Sequence, residues 1–481
     1  MQLIHPLIVL RILSTILFTE SLSLLVCIPV ALICHEPAEP FALSAIIVGM
    51  VYVLLKFATR KTGIKNIGNR DTFLIVFLAW VLFPLFGTLP YILSGTIPSF
   101  INAVFESTSG FTTTGASILN DVERLPLSIL FWRSFTHWIG GLGIVVLVIL
   151  ILPGLKVPGY HLFSLESSMK EKIHPKVKGV ALRILAIYTG LTVLETILLA
   201  AGDMNLFDSI CHAFGTIATG GFSTKNTSIA GYSHYTQYIV MVFMLLAGIS
   251  QVIYYYLIKF NFKKVIHNEE LWFYFSVVLF AGTVSVLLLY PGSSGSFGEV
   301  FREGFFQTIS VITCTGFASA DYLLWPAAGL TLIFLLMFAG GSTGSTSGGI
   351  KMARHLIVAK SIKAIFKKLI HPDNITIIKM NGKALDEKTI SSIVSFIFLY
   401  FIMFLAGSAI ITVNGSDLIT SLSSTATCMA GIGPGLGTVG PMSNYSMLPG
   451  FSKIVLCLAM IAGRLEIIPV IIIFGKSFWK V

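Results

Sequence analysis

Charge is what this sequence has least of. Asp, Glu, Lys and Arg make up 11% of its 481 residues, hydrophobic residues make up 55%, and mean hydropathy is +0.87. A water-soluble chain of this length would be about one-quarter charged and divided into domains, so a soluble architecture is excluded. Cysteine is scarce as well. Cys27, Cys34, Cys211, Cys314, Cys428 and Cys457 are scattered, mostly in apolar segments, with no CxxC pair and no His cluster. That excludes a disulfide framework and a zinc centre. No HExxH motif or nucleophile elbow occurs, and the apolar segments carry no clustered His, Asp or Glu. Neither an enzyme nor a covalently bound cofactor is expected.

What is present is a series of apolar runs of about 20 residues, the length a helix needs to cross a bilayer core. Ten spans are expected, near 8–34, 40–57, 72–94, 128–153, 180–201, 236–258, 271–290, 324–339, 391–412 and 451–475. No small-residue cleavage site follows the first, so it reads as a retained helix. The net charge is +10, and Lys and Arg cluster in alternate loops: Lys56, Arg60, Lys61, Lys65 and Arg70, then Lys156, Lys170, Lys172, Lys176 and Lys178. Further clusters lie at Lys259, Lys263 and Lys264 and from Lys351 to Lys388, whereas "CHEPAEP" from Cys34 and "GPMSNYSMLPG" from Gly440 have no Lys or Arg. This positive-inside asymmetry places both termini in the cytoplasm and argues against nucleic acid as the reason for the positive charge.

Between spans, a short semi-polar segment followed by a glycine turn recurs four times. The segments are "NAVFESTSGFTTTGAS" from Asn102, "DSICHAFGTIATGGFS" from Asp208, "EGFFQTISVITCTGFAS" from Glu303 and "DLITSLSSTATCMAGIGPGLG" from Asp417. Three share Thr-Gly, at Thr114-Gly115, Thr219-Gly220 and Thr315-Gly316, and Ile432-Gly433 is the nearest match in the fourth. About three helical turns precede each glycine, enough to enter a membrane halfway and return. Non-helical backbone at that depth survives only when buried in protein or lining a wet cavity. Glycine at positive φ lets successive carbonyls point one way, and four such turns would form a ring of oxygens able to replace the hydration shell of a monovalent cation. The plainer alternative, glycines that merely pack helices, suits one such turn better than four in equivalent places.

Two further features stand out. Ten consecutive residues, Gly340, Gly341, Ser342, Thr343, Gly344, Ser345, Thr346, Ser347, Gly348 and Gly349, come after the apolar run "LTLIFLLMF". The stretch lacks the Gly-Lys-Ser/Thr ending of a phosphate loop, and glycine costs a helix about 1 kcal/mol per residue. A linker is the simple alternative to an intramembrane loop whose Ser342, Thr343, Ser345, Thr346 and Ser347 meet water and ions. Arg464 lies between "IVLCLAMIAG" and "IIPVIIIF", at a depth where Arg costs about 2.5–3.5 kcal/mol. It is expected to face the protein interior; snorkelling and pairing with Glu466 are the alternatives, the latter disfavoured because residues two apart point to different helix faces.

Long stretches of the chain resemble the membrane subunit of Trk-type bacterial potassium uptake systems, within the Trk/Ktr/HKT superfamily. They include "RDTFLIVFLAWVLFPLFGTLPYIL" from Arg70, "FWRSFTHWIGGLGIVVLVILILPG" from Phe131, "ESSMKEKIHPKV" from Glu166, "TIATGGFST" from Thr216, "CTGFAS" from Cys314, "GIGPGLG" from Gly431 and "GRLEIIPV" from Gly463. The extra pair of spans before the first repeat resembles the Trk branch. The resemblance implies an all-α integral membrane protein: an N-terminal helix pair (1–70) and four pore repeats (71–155, 156–265, 266–370 with a broken inner helix, and 371–481). It implies K⁺ as the transported ion, met by filter residues Thr113, Thr114 and Gly115; Ala218, Thr219 and Gly220; Cys314, Thr315 and Gly316; and Gly431, Ile432 and Gly433. Ala430-Gly431 departs from the Asn residues expected before the fourth turn. Gly340 to Gly349 and Arg464 match the family's gate beneath the filter. The resemblance further implies a homodimer in the bacterial cytoplasmic membrane, in contact with lipid, and a soluble nucleotide-binding, TrkA-like subunit on the cytoplasmic face. Coupling by symport with protons or sodium, or to the membrane potential alone, is left open. The alternatives are a sodium-conducting or weakly selective relative, and a secondary nutrient symporter, which would show two inverted halves and a charged substrate site.

Overall fold

The computed structural model describes residues 4–63, 67–151, 177–292, 295–373 and 376–479. Lys65, Lys156, Lys170, Lys172 and Lys176 of the expected basic loops lie outside the described residues. The described residues are mostly helical, as the apolar runs require: in lipid, backbone polar groups must be satisfied within the segment.

The first two helices, α1 (Pro6–Ile33) and α2 (Glu39–Ala58), form a hairpin. It is tied by the Ser21 hydroxyl, which donates to the Ala45 carbonyl at 2.9 Å. Next come α3 (Asn69–Gly87) and its short continuation α4 (Leu89–Leu93). Asp71 in the first turn of α3 accepts from the His5 amide at 2.8 Å and faces the His5 ring, fixing the start of the hairpin to α3. Glu36 in the α1–α2 turn accepts the amides of Leu127 and Ser128 at 2.7 and 2.8 Å. It thereby satisfies two of the open donors at the start of α6 (Leu127–Ile151).

From α3 onward one pattern recurs: a long helix, a half-length helix, an irregular return, then a second long but interrupted helix. The half-length helices are α5 (Phe100–Phe111), α8 (Leu206–Ile217), α13 (Phe297–Ile312) and α17 (Leu418–Ala430). Their starts are set locally. Asn205 accepts the Asp208 amide, Ser296 and Glu299 form a capping box, and Asp417 accepts the Thr420 amide. The remaining elements are α7 (Val177–Ala200), α9 (His234–Ala247), α10 (Gln251–Ile258), α11 (Phe262–Ile266), α12 (Glu269–Leu289), α14 (Ala327–Leu336) and α15 (Met352–Ile370). The small hairpin β1 (Lys379–Met380) and β2 (Lys383–Ala384) precedes α16 (Glu387–Val413), and α18 (Gly450–Arg464), α19 (Ile468–Phe474) and α20 (Lys476–Trp479) end the chain.

Among the described residues six helical segments are long and apolar enough to cross a membrane, or eight if each of two sharply bent pairs is one span. Large apolar side chains such as Leu54, Phe280 and Phe398 stay exposed, as lipid-facing positions do.

The structure corrects the expected spans at places that hydropathy does not mark. The span expected at 236–258 breaks into α9 and α10 at 94°, and that at 451–475 into α18 and α19 at 119°. In the expected span 128–153, α6 contains Gly143 at φ 52°, ψ −169°. Only the break between α14 and α15 was expected. The Glu466-Ile467 bend holds two non-glycine residues at positive φ, 58° and 62°. The charges of Arg464 and Glu466 interrupt the apolar run at this bend, but an interruption in hydropathy does not by itself specify a turn.

Candidate functional site

The four half-helices end alike. In α5, α8, α13 and α17 the backbone turns left-handed just past the last helical residue, at Thr113 (φ 53°), Thr219 (55°), Cys314 (58°) and Gly431 (72°). The following amide bonds back five residues: Thr114 to the Ser109 carbonyl, Gly220 to Gly215, Thr315 to Ser310 and Ile432 to Thr427, all at 2.8–2.9 Å. This is the Schellman termination, whose left-handed residue is usually glycine. Three of four sites instead hold Thr, Thr and Cys, at a cost of about 1 kcal/mol or more each. Strain of that kind persists only where surrounding structure imposes it. Gly431, in the departing fourth segment, is the one position that carries this backbone without strain.

Two residues on, φ is again positive, at Gly115 (81°), Gly221 (77°), Gly316 (79°) and Gly433 (90°). This corrects the register taken from Thr-Gly pairs. In the second segment the counterpart of Gly115 is Gly221; Gly220 corresponds to Thr114, and Ala218 lies one position before the turn. "ATGG" offers two glycines, and matching dipeptides selected the wrong one.

These glycines form a closed ring. A Cβ on Gly115 would come within 3.0 Å of the Gly220 carbonyl, one on Gly221 of the Thr315 carbonyl, one on Gly316 of the Ile432 carbonyl, and one on Gly433 of the Thr114 carbonyl. Each turn therefore abuts the next, and the fourth abuts the first. Real side chains are not found this close, so only glycine fits.

The return segments close a second circuit. The Val122 amide donates to the Asn226 side-chain carbonyl at 2.8 Å, the Ile229 amide to the Ala318 carbonyl at 3.0 Å, the Tyr322 hydroxyl to the Gly435 carbonyl at 2.8 Å and the Tyr445 amide to the Ser117 carbonyl at 2.8 Å. Arg133 of α6 adds a bond to the Ser223 carbonyl at 2.9 Å. Within three of the repeats, the residue seven before the left-handed position braces its own return segment with a different chemistry each time. Glu106 accepts from Ser117 and from the Ile118 amide, His212 Nε2 pairs with the Ser223 hydroxyl, and the Gln307 amide donates to Ala320. Glu106 is also salt-bridged to Arg133 at 2.6 Å, both buried, so it is neutralised and hydrogen-bonded as a charge removed from water must be.

Beneath this ring lies the Gly/Ser/Thr decapeptide, bounded by α14 and α15 and joined at its base by a bridge between Ala339 and Ile350. It reaches three of the four turns. The Thr346 hydroxyl donates to the Ile217 carbonyl at 3.0 Å, Cys314 Sγ lies 3.7 Å from the Ala339 carbonyl, and Gly348 abuts the Ala430 carbonyl closely enough to exclude a Cβ. Its hydroxyls were expected to meet water. Instead Ser342, Thr343, Thr346 and Ser347 are buried, and several bond internally: Ser345 to the Ser342 carbonyl and to Ser347, and Ser347 to the Gly341 amide. The loop is also hydrogen-bonded to the α9–α10 bend, through Ser342 to Gly248 and Gln251 to Gly344.

Arg464, half-buried at the end of α18, completes the layer. It donates to the Thr346 carbonyl at 2.8 Å and to the Gly140 carbonyl of α6 at 2.7 Å. Gly140 in turn packs against the Phe111 carbonyl at the first turn. Glu466 pairs with Arg354. Sequence reasoning missed Arg354, Lys351 and Glu270 as parts of this layer. Lys351 is buried and donates to the Ser347 carbonyl, so the basic surface expected from Lys351 onward begins further along α15, at the exposed Lys363, Lys367 and Lys368.

Among the described residues no group of three or more His, Cys, Asp or Glu is placed to hold a metal ion. What the ring offers a cation is backbone oxygen.

A family profile described as "TrkH: Cation transport protein" matches residues 39–480. The chain is 33% identical over 479 residues to the Trk system potassium uptake protein TrkI of Halomonas elongata, covering 98% of this chain and 96% of that one. It is 34% identical over 419 residues to the Trk system potassium uptake protein TrkH of Escherichia coli, covering 86% of each. The crystal structure of the potassium transporter TrkH from Vibrio parahaemolyticus superposes with a TM-score of 0.88 at 29% identity, over 99% of this chain and all of that one.

Replacing Gly221 or Gly316 by Ala is expected to lower the melting temperature of the detergent-solubilised protein. The strain is at least about 1 kcal/mol per site from backbone conformation alone. Gly190→Ala, in α7 where nothing lies within 4 Å, is expected to leave it unchanged or raise it. Equal melting temperatures for all three would mean that the ring is not close-packed.

Proposed function

From a chain that belongs to the TrkH family of cation transport proteins, we propose a multi-pass potassium uptake transporter of the Trk system whose conduction path runs through the ring of glycine turns. The single observation carrying this reading is the closed fourfold abutment of Gly115, Gly221, Gly316 and Gly433. It is a short collar of backbone carbonyls set at the C-terminal, partially negative ends of four half-helices. Carbonyls so arranged replace water around a monovalent cation without needing a charged side chain. The filter is then Thr113 to Gly115, Thr219 to Gly221, Cys314 to Gly316 and Gly431 to Gly433.

The loop Gly340 to Gly349 and Arg464 act as the gate. Backbone at that depth must line a cavity or be buried, and here it is buried directly under the turns. Arg464 adds a positive charge to a low-dielectric path, where Coulomb repulsion of a cation is strong. The family resemblance supports a homodimer in the bacterial inner membrane, with the exposed basic end of α15 as docking surface for a cytoplasmic nucleotide-binding subunit.

The test is the ratio of K⁺ to Na⁺ uptake in a potassium-starved, uptake-deficient host, with protein levels checked. Gly316→Ser and Gly221→Ser are expected to lower that ratio about fivefold or more, equivalent to ~1 kcal/mol. K⁺ depends on several carbonyls meeting it at once, whereas Na⁺ keeps part of its water. A parental ratio in both variants would remove the ring from the filter, and a ratio near one in the parent would make the protein a weakly selective or sodium-conducting relative.

In proteoliposomes, Arg464→Ala is expected to raise K⁺ flux about tenfold, since it deletes both the charge and the hydrogen bonds to Thr346 and Gly140. Unchanged flux in a normally inserted variant would place Arg464 off the path.

Deleting Ser342 to Ser347 is expected to raise leak while leaving the ion preference unaltered, because the shortened chain no longer covers the ring. Flux equal to the parent's would reduce the loop to a linker.

A further inference from the structure

Of the side chains around the loop, one ties it to the helix that follows it. Glu270, the second residue of α12, is buried, at 3% exposure. Its Oε1 accepts the amide of Thr343 at 2.5 Å and the amide of Ala353 at 3.0 Å. Thr343 lies within the decapeptide, and Ala353 is the second residue of α15. A single oxygen thus gathers two backbone donors ten residues apart and pinches the loop between them. Both donors would otherwise be open: Ala353 sits in the first turn of α15, where no intrahelical carbonyl is available.

We infer that Glu270 is the positioning residue that latches the intramembrane loop closed, an inference that rests on the gating role proposed above. The carboxylate is fixed because α12 is a continuous helix of 21 residues whose first turn is capped by Asn268, accepting the Leu271 amide at 2.9 Å. The loop's other attachments are backbone or hydroxyl contacts at Gly248, Ile217 and Gln251, and the side chains of Arg464 and Lys351, which donate to the Thr346 and Ser347 carbonyls. To uncover the ring, Thr343 must leave the carboxylate or α15 must carry Ala353 away from it. Displacement of α15 therefore loosens the loop through Glu270. The neighbouring Glu269 pairs with Lys360 of α15 at the partly exposed edge of the same turn. It ties α15 to α12 without touching the loop.

The test compares Glu270→Ala, Glu270→Gln and Glu269→Gln in full-length protein. Rubidium flux in proteoliposomes is read alongside hydrogen exchange of the peptide covering residues 340–355. Glu270→Ala is expected to raise flux about tenfold, equivalent to ~1.4 kcal/mol. It should also speed exchange in 340–355 while leaving peptides of α5 and α17 protected. Glu270→Gln, which keeps an acceptor oxygen without the charge, should fall between parent and Ala, and it remains testable if the Ala variant fails to insert. Glu269→Gln should match the parent. The latch is overturned if the inserted Glu270 variants leave flux or 340–355 exchange at the parental level, if exchange rises equally everywhere, or if Glu269→Gln opens the protein equally. The loop deletion separates the two claims. If deletion raises flux but the Glu270 variants do not, only the latch fails; if deletion has no effect, the gating reading itself fails.

Discussion

Every irregular stretch of this chain within the bilayer answers to one requirement: a peptide group that leaves a helix in hydrocarbon must find another partner. Four half-helices stop midway and four inner helices break near their ends, freeing amides and carbonyls where water is scarce. The structure meets the need by bringing the breaks together. The left-handed terminations satisfy part of each half-helix end through amides five residues on. The loop amides of Ser342, Thr343 and Gly341 go to Gly248, Glu270 and Ser347. Arg464 uses two carbonyls released by breaks in different repeats. Backbone satisfaction, more than hydrophobic packing, fixes where this layer sits.

The same requirement explains why polar side chains are tolerated at this depth. Glu106, Arg133, Glu270 and Arg354 would each be costly alone. Glu106 pairs with Arg133 and Arg354 with Glu466, Arg133 also reaches backbone of the second repeat, and Glu270 is bonded to backbone of its own repeat. They serve as rivets between segments with little apolar surface of their own. Substituting one leaves not a gap but a stranded partner, which is the more expensive error.

Much of this was legible in sequence, for a definable reason. Membrane helices announce themselves by length and hydropathy, and the four half-helices by their shared semi-polar composition and closing glycines. The decapeptide was conspicuous because nothing helical is made of Gly, Ser and Thr alone. Other features left no such mark. The register of the second turn hinged on which glycine of "ATGG" takes positive φ, a fact of three-dimensional fit against Thr315. The bends at Gly248–Ser250 and Glu466-Ile467 are marked only by a few polar residues inside otherwise apolar runs, and their angles are set by tertiary contacts. Glu270 reads as an ordinary acidic residue at a helix start, and its partners are 73 and 83 positions away. Resemblance to relatives supplied the gating role proposed for the loop and Arg464, which spacing alone would not have assigned.

The abutment of the glycine turns has a direction. The missing side chain of the first points at the second, that of the second at the third, and so on around to the first again. Contact therefore passes in one rotational sense, and opposite turns share none of these contacts. A bulky residue in one quadrant pushes a carbonyl belonging to the next, so its damage appears one step downstream of its cause. Changes at consecutive turns are then coupled, while changes across the ring behave as distant sites that add. Because one chain supplies all four quadrants, each can vary by itself, as the Glu, His and Gln braces do. The exchange of Thr or Cys for glycine at 431 is such a variation, made at a position whose backbone already prefers it.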